Sequence, residues 1–547
     1  WKRMSLGLAV FLAVSLCLHA EEKKPLPRKD CFFGLHFDLH PGAQDTELGK
    51  DTTEQNIANL LDRVKPDYVQ YDCKGHAGYC GYPSKVGSPS PGIVQDALAI
   101  WRKVTLEHGV GLFIHFSGVW DNRALELHPE WARVNAEGNL DKQKTSTFGP
   151  YVDELMIPQL SEAVSDYQLD GVWVDGECWA VELDYCPAAL EAWQKETGFD
   201  TAPKNANEPH WREWKDFNRK HFEMYLTHWV NELHKRNPGV QITSNWMYTT
   251  LAPKPVVAPL DYLSGDYSPG DSVDTARLEA RYLASTGMPW DLMAWGFDKG
   301  GDQGWSWKTP IHLMQEAAVV LMQGGGFQIY YNPTRAGYIP PAVIDTTGQV
   351  ADFCRARQAV SHKSTSVPQV ALLLSEETCK ERSNSIYSPG GEYNGLKSAL
   401  YALTEMHYSV DVLAEHQLQP RLAEFPLVVL PDSSKLTDEF KTALLDYVRK
   451  GGNLLLLDLQ SANLFQEALG VTFEGEAQQT GAELGTKTGV VNADGVWQKV
   501  NLASAKPFGY RYATRDGRRA GDVAATVAAY GEGKIGAVYG PFCQAYR

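Results

Sequence analysis

Four carboxylic acids lie close together in the second part, residues 175–184, of the stretch LDGVWVDGECWAVELD (169–184). They are Asp175, Glu177, Glu182 and Asp184. Asp175 directly follows the apolar run 171–174, which is typical of a buried strand, and a carboxylate at such a position needs solvent or polar partners. Carboxyl groups in different protonation states can serve as nucleophile and as general acid or base. Asp175 is therefore the first candidate for a reactive group, and capping of the following turn is its alternative role.

The elements that must position these groups alternate regularly between residues 30 and 357. Short apolar runs predict strands at 32–38, 67–72, 110–116, 171–175, 240–245, 261–266, 289–295 and 325–331. Apolar residues at positions i, i+3 and i+4 predict helices at 56–64, 92–109, 151–164, 210–236 and 309–325. Eight strands in βα alternation predict a (β/α)8 TIM barrel, whose chemistry lies at the carboxyl ends of the strands.

Polar and aromatic side chains occupy those carboxyl ends. They are Asp38, Asp72, His115, Asp175, Asn245, Asp266, Trp295 and Asn332. Seven tryptophans fall on the predicted strands or the loops beyond them: Trp173, Trp179, Trp246, Trp290, Trp295, Trp305 and Trp307. A single tryptophan is more often a core residue than a ligand contact, but indole rings also stack on the apolar faces of sugars. Seven of them near one barrel end favour a carbohydrate ligand.

A second domain is predicted after a change of rhythm at 361–369. The runs PQVALLLSE, SVDVLAEHQ, FPLVVLPDS and GGNLLLLDLQ alternate with helical segments. This pattern resembles a smaller α/β domain of flavodoxin-like or amidotransferase-like type over 366–547. No nucleophilic cysteine follows a strand at a tight glycine turn, so we expect this domain to be non-catalytic, with a role in structure or assembly.

Composition limits the class of protein and its partners. The chain has 547 residues and a formal net charge of −16, which argues against nucleic acid as a partner. Residues 1–20 have a basic start, an apolar run and a small residue before EEKK, so they predict a secretory signal and a secreted or periplasmic protein. The apolar run is shorter than the roughly 20 residues that span a bilayer, so a membrane anchor is disfavoured, as is a lipoprotein site at Cys17.

Metal and cofactor sites are not indicated by the sequence. Removal of residues 1–20 leaves eight cysteines, which makes disulfides an option whose pairing the sequence does not reveal. There is no CxxC pair and no HExxH helix, so we predict no metal site and no cofactor. Homo-oligomer formation is left open.

Four sequence blocks are spread across the predicted barrel. They are KGHAGYCGYPSK (74–85), LDGVWVDG (169–176), PWDLMAWGFD (289–298) and GGGFQIYYNPTRAGYIPP (324–341). In this order they resemble the blocks of glycoside hydrolase family 29, the retaining α-L-fucosidases, over roughly residues 32 to 345. The related family 151, which also joins such a barrel to a second α/β domain, is similar as well.

The resemblance implies roles for individual residues. Asp175 falls on the nucleophile of the family, and His76 falls on the second histidine of a pair that binds sugar hydroxyls. Asp266 falls near the glutamate that acts as acid/base, with Glu177 and Asp271 as substitutes. The first histidine of the pair is replaced by Gly75, which puts the identity of the sugar in doubt.

The predicted substrate contacts combine this resemblance with the positions near strand ends. They are His36, Asp38, His76, Tyr79, His115, Trp173, Asn245, Trp246, Trp290 and Trp295. The expected activity is release of a terminal sugar, most simply α-L-fucose, by double displacement. A galactosidase-type enzyme is an alternative, because the two sugars share much of their hydroxyl stereochemistry. A catalytically inactive carbohydrate-binding barrel is the alternative outside enzymes, because of the altered histidines and because position 266 carries aspartate.

Overall fold

A computed structural model describes residues 24–267, 269–298, 306–383, 385–387, 393–485, 489–515 and 521–546. The predicted secretory signal at 1–20 and Trp305 lie outside the described residues, so the signal stays a prediction. The chain forms a parallel eight-stranded barrel followed by a second unit built mainly on one sheet. This is the predicted fold class.

The barrel strands are close to those predicted. They are β1 (Phe33–Phe37), β2 (Tyr68–Lys74), β3 (Gly111–Ser117), β4 (Gly171–Asp175), β5 (Gln241–Ser244), β6 (Leu263–Tyr267), β7 (Trp290–Trp295) and β8 (Gly326–Tyr331). Parallel ladders join them in the order β6-β7-β8-β1-β2-β3-β4-β5. Strands buried on both sides read as continuous apolar runs, which is why the sequence locates them well.

The barrel is nearly closed at the seam between β5 and β6. Two backbone hydrogen bonds bridge this seam: Asp261 N donates to Ile242 O at 2.9 Å, and Trp246 N donates to Ser264 O at 3.0 Å. The second bond lies at the carboxyl end of the barrel. This end of the seam therefore lies close to Asp175, the last residue of β4, and to Asp266, near the end of β6.

Helices cover the outside of the barrel. They are α1 (Glu54–Val64), α2 (Ala97–His108), α3 (Asn122–Leu127), α4 (Ile157–Tyr167), α5 (Pro187–Thr197), α6 (Trp211–Arg236), α7 (Ser272–Leu283), α8 (Pro310–Leu321) and α9 (Pro341–Ser361). The predicted helix 92–109 begins later, at Ala97, because the Asp96 side chain accepts a hydrogen bond from Ala99 N at 3.1 Å and caps the helix there. Gly109 ends it in a left-handed conformation with φ +67°.

The second unit contains a nine-stranded mixed sheet. Its parallel part consists of β9 (Val370–Leu373), β10 (Val410–Leu413), β11 (Leu427–Pro431) and β12 (Asn453–Leu457), in the order β10-β9-β11-β12. Gly533–Val538 continues the sheet in parallel beside β12, and antiparallel strands follow it. This order is that of a flavodoxin-like domain. Val370–Leu373 thus pairs within the second sheet, while the domain limits 30–357 and 366–547 stay predictions.

Helices and further strands complete this unit and the loops. The helices are α10 (Glu376–Arg382), α11 (Asn394–Glu405), α12 (Glu415–Leu418), α13 (Asp438–Arg449), α14 (Leu459–Asn463) and α15 (Phe542–Tyr546). Val471–Thr480 and Gly495–Leu502 form a separate antiparallel ribbon. In the part of the chain that the structure describes, no helix has both the length and the apolarity to cross a bilayer. The eight described cysteines all carry free thiols.

The amino end of the barrel interior is filled by one cation. The Arg28 guanidinium lies 3.5 Å from the ring centroid of Tyr68 and 4.4 Å from that of Tyr262. Its Nε donates to Asp291 Oδ2 at 2.8 Å. Burial disfavours this charge, but Asp291 and the tyrosines outweigh burial and raise the pKa of Arg28 above its ordinary value. The barrel is therefore closed from below, and access to its interior is from the carboxyl end.

We expect Arg28→Met to lower the free energy of unfolding by about 3 kcal/mol, because it leaves the buried Asp291 carboxylate without its cation. Urea denaturation followed by tryptophan fluorescence measures this. Lys29→Met is the matched control, since Lys29 is the exposed neighbour. If both variants unfold at the same urea concentration, Arg28 does not stabilise the barrel.

Candidate active site

Asp175 ends β4 at the carboxyl face of the barrel and is 8% exposed. Its Oδ1 accepts hydrogen bonds from Trp179 Nε1 at 2.7 Å and from Asn245 Nδ2 at 2.8 Å. Its Oδ2 lies 3.4 Å from His76 Nε2 and 3.5 Å from His115 Nε2. Three donor groups, those of Trp179, Asn245 and His115, thus surround a carboxylate at the bottom of the site, and this arrangement stabilises the anion.

Asp266 lies on β6, and its carboxylate is surrounded by indoles. Trp246 Nε1 donates to Oδ1 at 3.1 Å, and Trp295 Nε1 donates to Oδ2 at 3.1 Å. Trp246 has a left-handed backbone with φ +65°. Its ring covers Gly265, where a Cβ would lie 2.9 Å from the indole. The glycine before Asp266 therefore allows Trp246 to reach the carboxylate.

Asn245 connects the two acids. Its Nδ2 is 2.8 Å from Asp175 Oδ1 and 2.7 Å from Asp266 Oδ1, so these two oxygens lie at most 5.5 Å apart. Asn245 is fully buried and directly follows β5, the strand between those of the two acids. Three strand ends that neighbour one another around the barrel thus bring the acid pair together.

The environments of the two acids move their pKa values apart. At Asp175, burial favours the neutral acid, but the hydrogen bond and the charge of His115 and the hydrogen bond from Asn245 outweigh burial and hold the pKa below its ordinary value. At Asp266, burial and then the negative charge of Asp175 raise the pKa to about 6. One carboxyl is therefore held as an anion beside another that keeps its proton up to a higher pH.

Three aspartates surround the buried His115. Its Nδ1 lies 3.1 Å from Asp72 Oδ1 and 3.9 Å from Asp38 Oδ1, and its Nε2 faces Asp175. Burial disfavours the imidazolium, but the hydrogen bonds and charges of the aspartates outweigh burial and raise the pKa of His115 well above its ordinary value. His115 therefore acts as a fixed cation beneath Asp175.

His76 approaches the same Asp175 oxygen in a different state. Burial lowers the pKa of His76 to about 4, so the ring is neutral at neutral pH. Ser117 Oγ donates to Trp120 O at 2.6 Å and lies 2.7 Å from His76 Nδ1. Because the hydroxyl proton is already used, Nδ1–H donates to Ser117, and Nε2 keeps a lone pair. A sugar hydroxyl that enters here can donate to that nitrogen.

His40 fills the space beside Gly75. A Cβ at position 75 would lie 2.6 Å from His40 Cα, so no larger residue fits there while His40 keeps this position. His40 has a left-handed backbone with φ +48°, and its Nε2 contacts Asp38 Oδ2 at 2.6 Å. Its ring meets that of His76 edge-on, with centroids 4.7 Å apart. Two histidines thus stand side by side in the site.

Asp38, His40 and His115 also have the spacing of a metal site, with ligand atoms that all lie within 4.8 Å of one another. Burial opposes protonation of His40, but Asp38 outweighs it and raises the pKa of His40, as the aspartates do for His115. A metal ion that binds here would compete with protons for the two imidazoles.

The structure places four predicted site residues away from the acid pair. Glu177 is fully buried: Ser244 Oγ donates to it at 2.7 Å, and burial raises its pKa to about 8. Trp173 is 1% exposed and lies beneath the site, with centroids 5.7 Å from His36 and 5.6 Å from His115. Neither can contact a substrate directly, so both predicted roles are corrected. Trp173 forms the floor instead.

Trp290 and Tyr79 also differ from the prediction. Trp290 begins β7, whereas Trp295 ends it, so their Cα atoms lie roughly 16 Å apart at opposite ends of the strand. Trp290 packs over Gly325. Tyr79 lies on the short strand Tyr79–Cys80, and the Arg123 guanidinium is 5.5 Å from its ring centroid. A block match located these residues in sequence but did not fix where their side chains lie.

Asp271, the other substitute for the acid/base, directly precedes α7, where Lys397 Nζ donates to it at 3.1 Å. The remaining predicted contacts converge on the acid pair or its histidines. His36 Nδ1 accepts from Gln70 Nε2 at 2.8 Å, and its Nε2 lies 3.9 Å from Asp38 Oδ2. The predicted set omits Asp72, Trp120, Trp179 and Tyr330. Trp120 stacks on His76 at 4.9 Å, and Tyr330 meets His36 at 4.9 Å. A search of the few residues beyond each strand end would have found Trp120, as it found Trp179 among the seven tryptophans.

The comparisons with known proteins agree with this geometry. The sequence model of the alpha-L-fucosidase family matches residues 54–358, more than half of the chain. The chain belongs to the alpha-L-fucosidase family. It is therefore a glycoside hydrolase, and the predicted family is confirmed. No curated protein matches the chain.

Solved structures share the fold at low sequence identity. Alpha-L-fucosidase isoenzyme 2 from Paenibacillus thiaminolyticus superimposes with a TM-score of 0.76 and 20% identity, over 93% of this chain and 80% of that one. The β-galactosidase from Bacillus circulans sp. alkalophilus gives 0.71 and 14%, over 96% and 88%. The β-galactosidase from Rahnella sp. R3 gives 0.72 and 15%, over 94% and 87%. At these identities the likeness concerns the fold.

We expect hydrolysis to decline on the alkaline side near pH 6, as Asp266 loses its proton, and on the acid side only below the ordinary range of aspartate. Asn245 donates to both carboxylates and so lowers both pKa values. Asn245→Ala should therefore move both limbs of the kcat/KM profile to higher pH. Asn237→Ala, on the surface, is the control. If neither limb of the kcat/KM profile moves in Asn245→Ala, the hydrogen bonds from Asn245 do not lower the two pKa values.

Proposed function

We propose that the protein is an exo-acting, retaining α-L-fucosidase that releases a terminal sugar from an oligo- or polysaccharide. The observation that carries the proposal is the acid pair joined by Asn245, with its oxygens at most 5.5 Å apart, because a single Nδ2 lies 2.8 Å and 2.7 Å from them. Retaining glycosidases place their carboxyl groups about 5 to 5.5 Å apart, whereas inverting enzymes leave room for a water molecule.

Asp175 is the proposed nucleophile. It stays anionic because donors surround it, and its strand end holds it rigidly below the incoming sugar. Its attack on the anomeric carbon forms a covalent glycosyl ester and breaks the bond to the leaving oxygen. His115 remains a cation below the carboxylate throughout and limits its basicity.

Asp266 is the proposed acid/base. With a pKa of about 6 it carries a proton in mildly acidic solution, and it passes this proton to the leaving oxygen as the ester forms. The ionised Asp266 then removes a proton from water, which attacks the ester and releases the sugar with retained configuration. The indoles of Trp246 and Trp295 exclude water and fix the carboxyl plane.

Exo-action is supported by the closed lower end of the barrel. Arg28 and the rings around it fill the amino end, and Trp173 lies under the histidines. A sugar enters from one side only, which suits a terminal residue rather than the interior of a chain. Neutral His76 offers an acceptor for one of its hydroxyls.

The galactosidase-type alternative is supported by the fold likeness to β-galactosidases and by the replacement of the family histidine by Gly75. The inactive-barrel alternative is disfavoured, because the opposite pKa shifts of Asp175 and Asp266 have no evident use in a binding protein.

A panel of aryl glycosides tests the function. We expect the purified protein to hydrolyse aryl α-L-fucosides faster than aryl α- and β-galactosides, and NMR of the first-formed product should show retained anomeric configuration. A preference for a galactoside would favour the galactosidase-type reading. No hydrolysis of any glycoside would favour the binding barrel.

Two variants test the assignment of the acids. Asp175→Ala should lose nearly all turnover, and azide should restore part of it and give a glycosyl azide of inverted configuration, because azide attacks the sugar from the space the carboxylate leaves. Asp266→Ala should lose turnover mainly on poor leaving groups, and azide should give the retained product. The same azide anomer from both variants would refute the assignment. Circular dichroism checks that both fold.

A further inference from the structure

The loop after β5 carries two of the donors that hold the acid pair. We call residues 244–254 the β5 loop; it contains Asn245 and Trp246, which both donate to Asp266. Trp246 and Tyr248 have left-handed backbones, with φ +65° and φ +61°. Non-glycine residues adopt this conformation at a cost, so surrounding contacts must maintain it.

Contacts inside the barrel hold the first half of the loop. Thr249 Oγ1 donates to Trp246 O at 2.8 Å, and Ala258 N donates to Tyr248 Oη at 2.9 Å. Thr250 then binds Glu279 of α7: its N donates to Oε2 at 3.3 Å, and its hydroxyl donates to Oε1. Glu279 is 4% exposed, so this anchor lies inside the protein.

The second domain holds the same threonine from the other side. Tyr393, which directly precedes α11, donates its hydroxyl to Thr250 O at 2.5 Å. Thr250 is therefore bound through its N, its side chain and its carbonyl, and the carbonyl bond is the one that crosses between the domains. Thr250 itself is 3% exposed, which removes water as a replacement partner.

Ser383, Ile386 and Tyr387, which precede Tyr393 in the chain, are held by residues of the barrel. Arg219 Nε of α6 donates to Ile386 O at 2.6 Å, and Lys215 Nζ donates to Ser383 O at 2.7 Å. Tyr387 packs its ring 5.6 Å from that of Phe222. A small crevice of about 30 Å³ lies between Ile386 and Tyr387 and the end of the β5 loop at 251–254. The second domain thus forms the outer wall of the loop.

We propose that Tyr393 is a positioning residue, through which the second domain holds the β5 loop so that Asn245 and Trp246 reach the acid pair. The second domain then takes part in the reaction by positioning the β5 loop, although it supplies no catalytic group. This role rests on the proposed function of Asp266 as acid/base.

A loosened β5 loop changes the pKa of Asp266 in one definite direction. Hydrogen bonds from Asn245 and Trp246 stabilise the ionised form of Asp266 and so lower its pKa. A loosened β5 loop weakens these bonds and raises that pKa. Because the proton on Asp266 is required for the first step, the alkaline limb of the pH profile moves to higher pH as the loop loosens.

Tyr393→Phe tests the inference, because it removes one hydroxyl and keeps the ring. We expect kcat to fall about tenfold, as misplaced catalytic groups cost rate steeply, and the alkaline limb to rise by about half a pH unit. Tyr447→Phe is the matched control: its hydroxyl also donates to a backbone carbonyl of the second domain, that of Phe425 at 2.8 Å, away from the barrel. Thermal unfolding is measured for both.

Glu279→Gln supplies a second route to the same loop. An amide cannot accept both Thr250 hydrogen bonds on the two atoms that the carboxylate uses, so this variant should shift the limb in the same direction. If both Tyr393→Phe and Glu279→Gln keep the wild-type kcat and limb, as Tyr447→Phe should, the inference is wrong even though the enzyme is active. A wild-type chain without any glycosidase activity would instead refute the proposed function on which it rests.

Discussion

The amide of Asn245 is the contact on which the rest of the site depends. Two carboxylates whose Oδ1 atoms lie at most 5.5 Å apart, 2.8 Å and 2.7 Å from one nitrogen, would repel each other if both were ionised without a donor between them. The barrel supplies that donor because β4, β5 and β6 follow one another around its circumference, and the seam of the nearly closed barrel lies between β5 and β6. The backbone bond from Trp246 N to Ser264 O closes this seam beside the acids and also fixes the residue whose indole binds Asp266.

The charge state of each histidine follows from how many carboxylates it meets. His115 and His76 approach the same oxygen of Asp175, at 3.5 and 3.4 Å. His115 also faces Asp72 and Asp38, so its pKa is raised despite complete burial, whereas burial dominates at His76 and lowers its pKa to about 4. One ring therefore stabilises the anionic nucleophile permanently, and the other remains a neutral hydrogen-bonding group that a sugar hydroxyl can use.

The sequence predicts the elements of this fold better than the directions of its side chains. Apolar runs locate all eight strands, because a strand buried on both faces has an unambiguous composition. Glu177 lies only two residues from Asp175, yet it points into the protein toward Ser244. Trp290 and Trp295 share one strand but lie at its opposite ends. Asn245 donates to Asp175, which lies 70 positions before it in the sequence, and to Asp266, which lies 21 positions after it. No local sequence pattern encodes such a contact.

The departure from the family at Gly75 has a structural explanation. The resemblance implies a histidine there, next to His76. The sequence alone therefore indicates that one sugar contact is lost. In the structure His40 occupies the adjoining space so closely that a Cβ at position 75 would lie 2.6 Å from its Cα. Asp38 holds the imidazole at 2.6 Å, and the ring stands against His76. His40 and His76, from two different loops, thus form a pair of histidines, and Gly75 leaves the space that His40 needs. A second histidine beside His76 supports the proposal that this site recognises a carbohydrate.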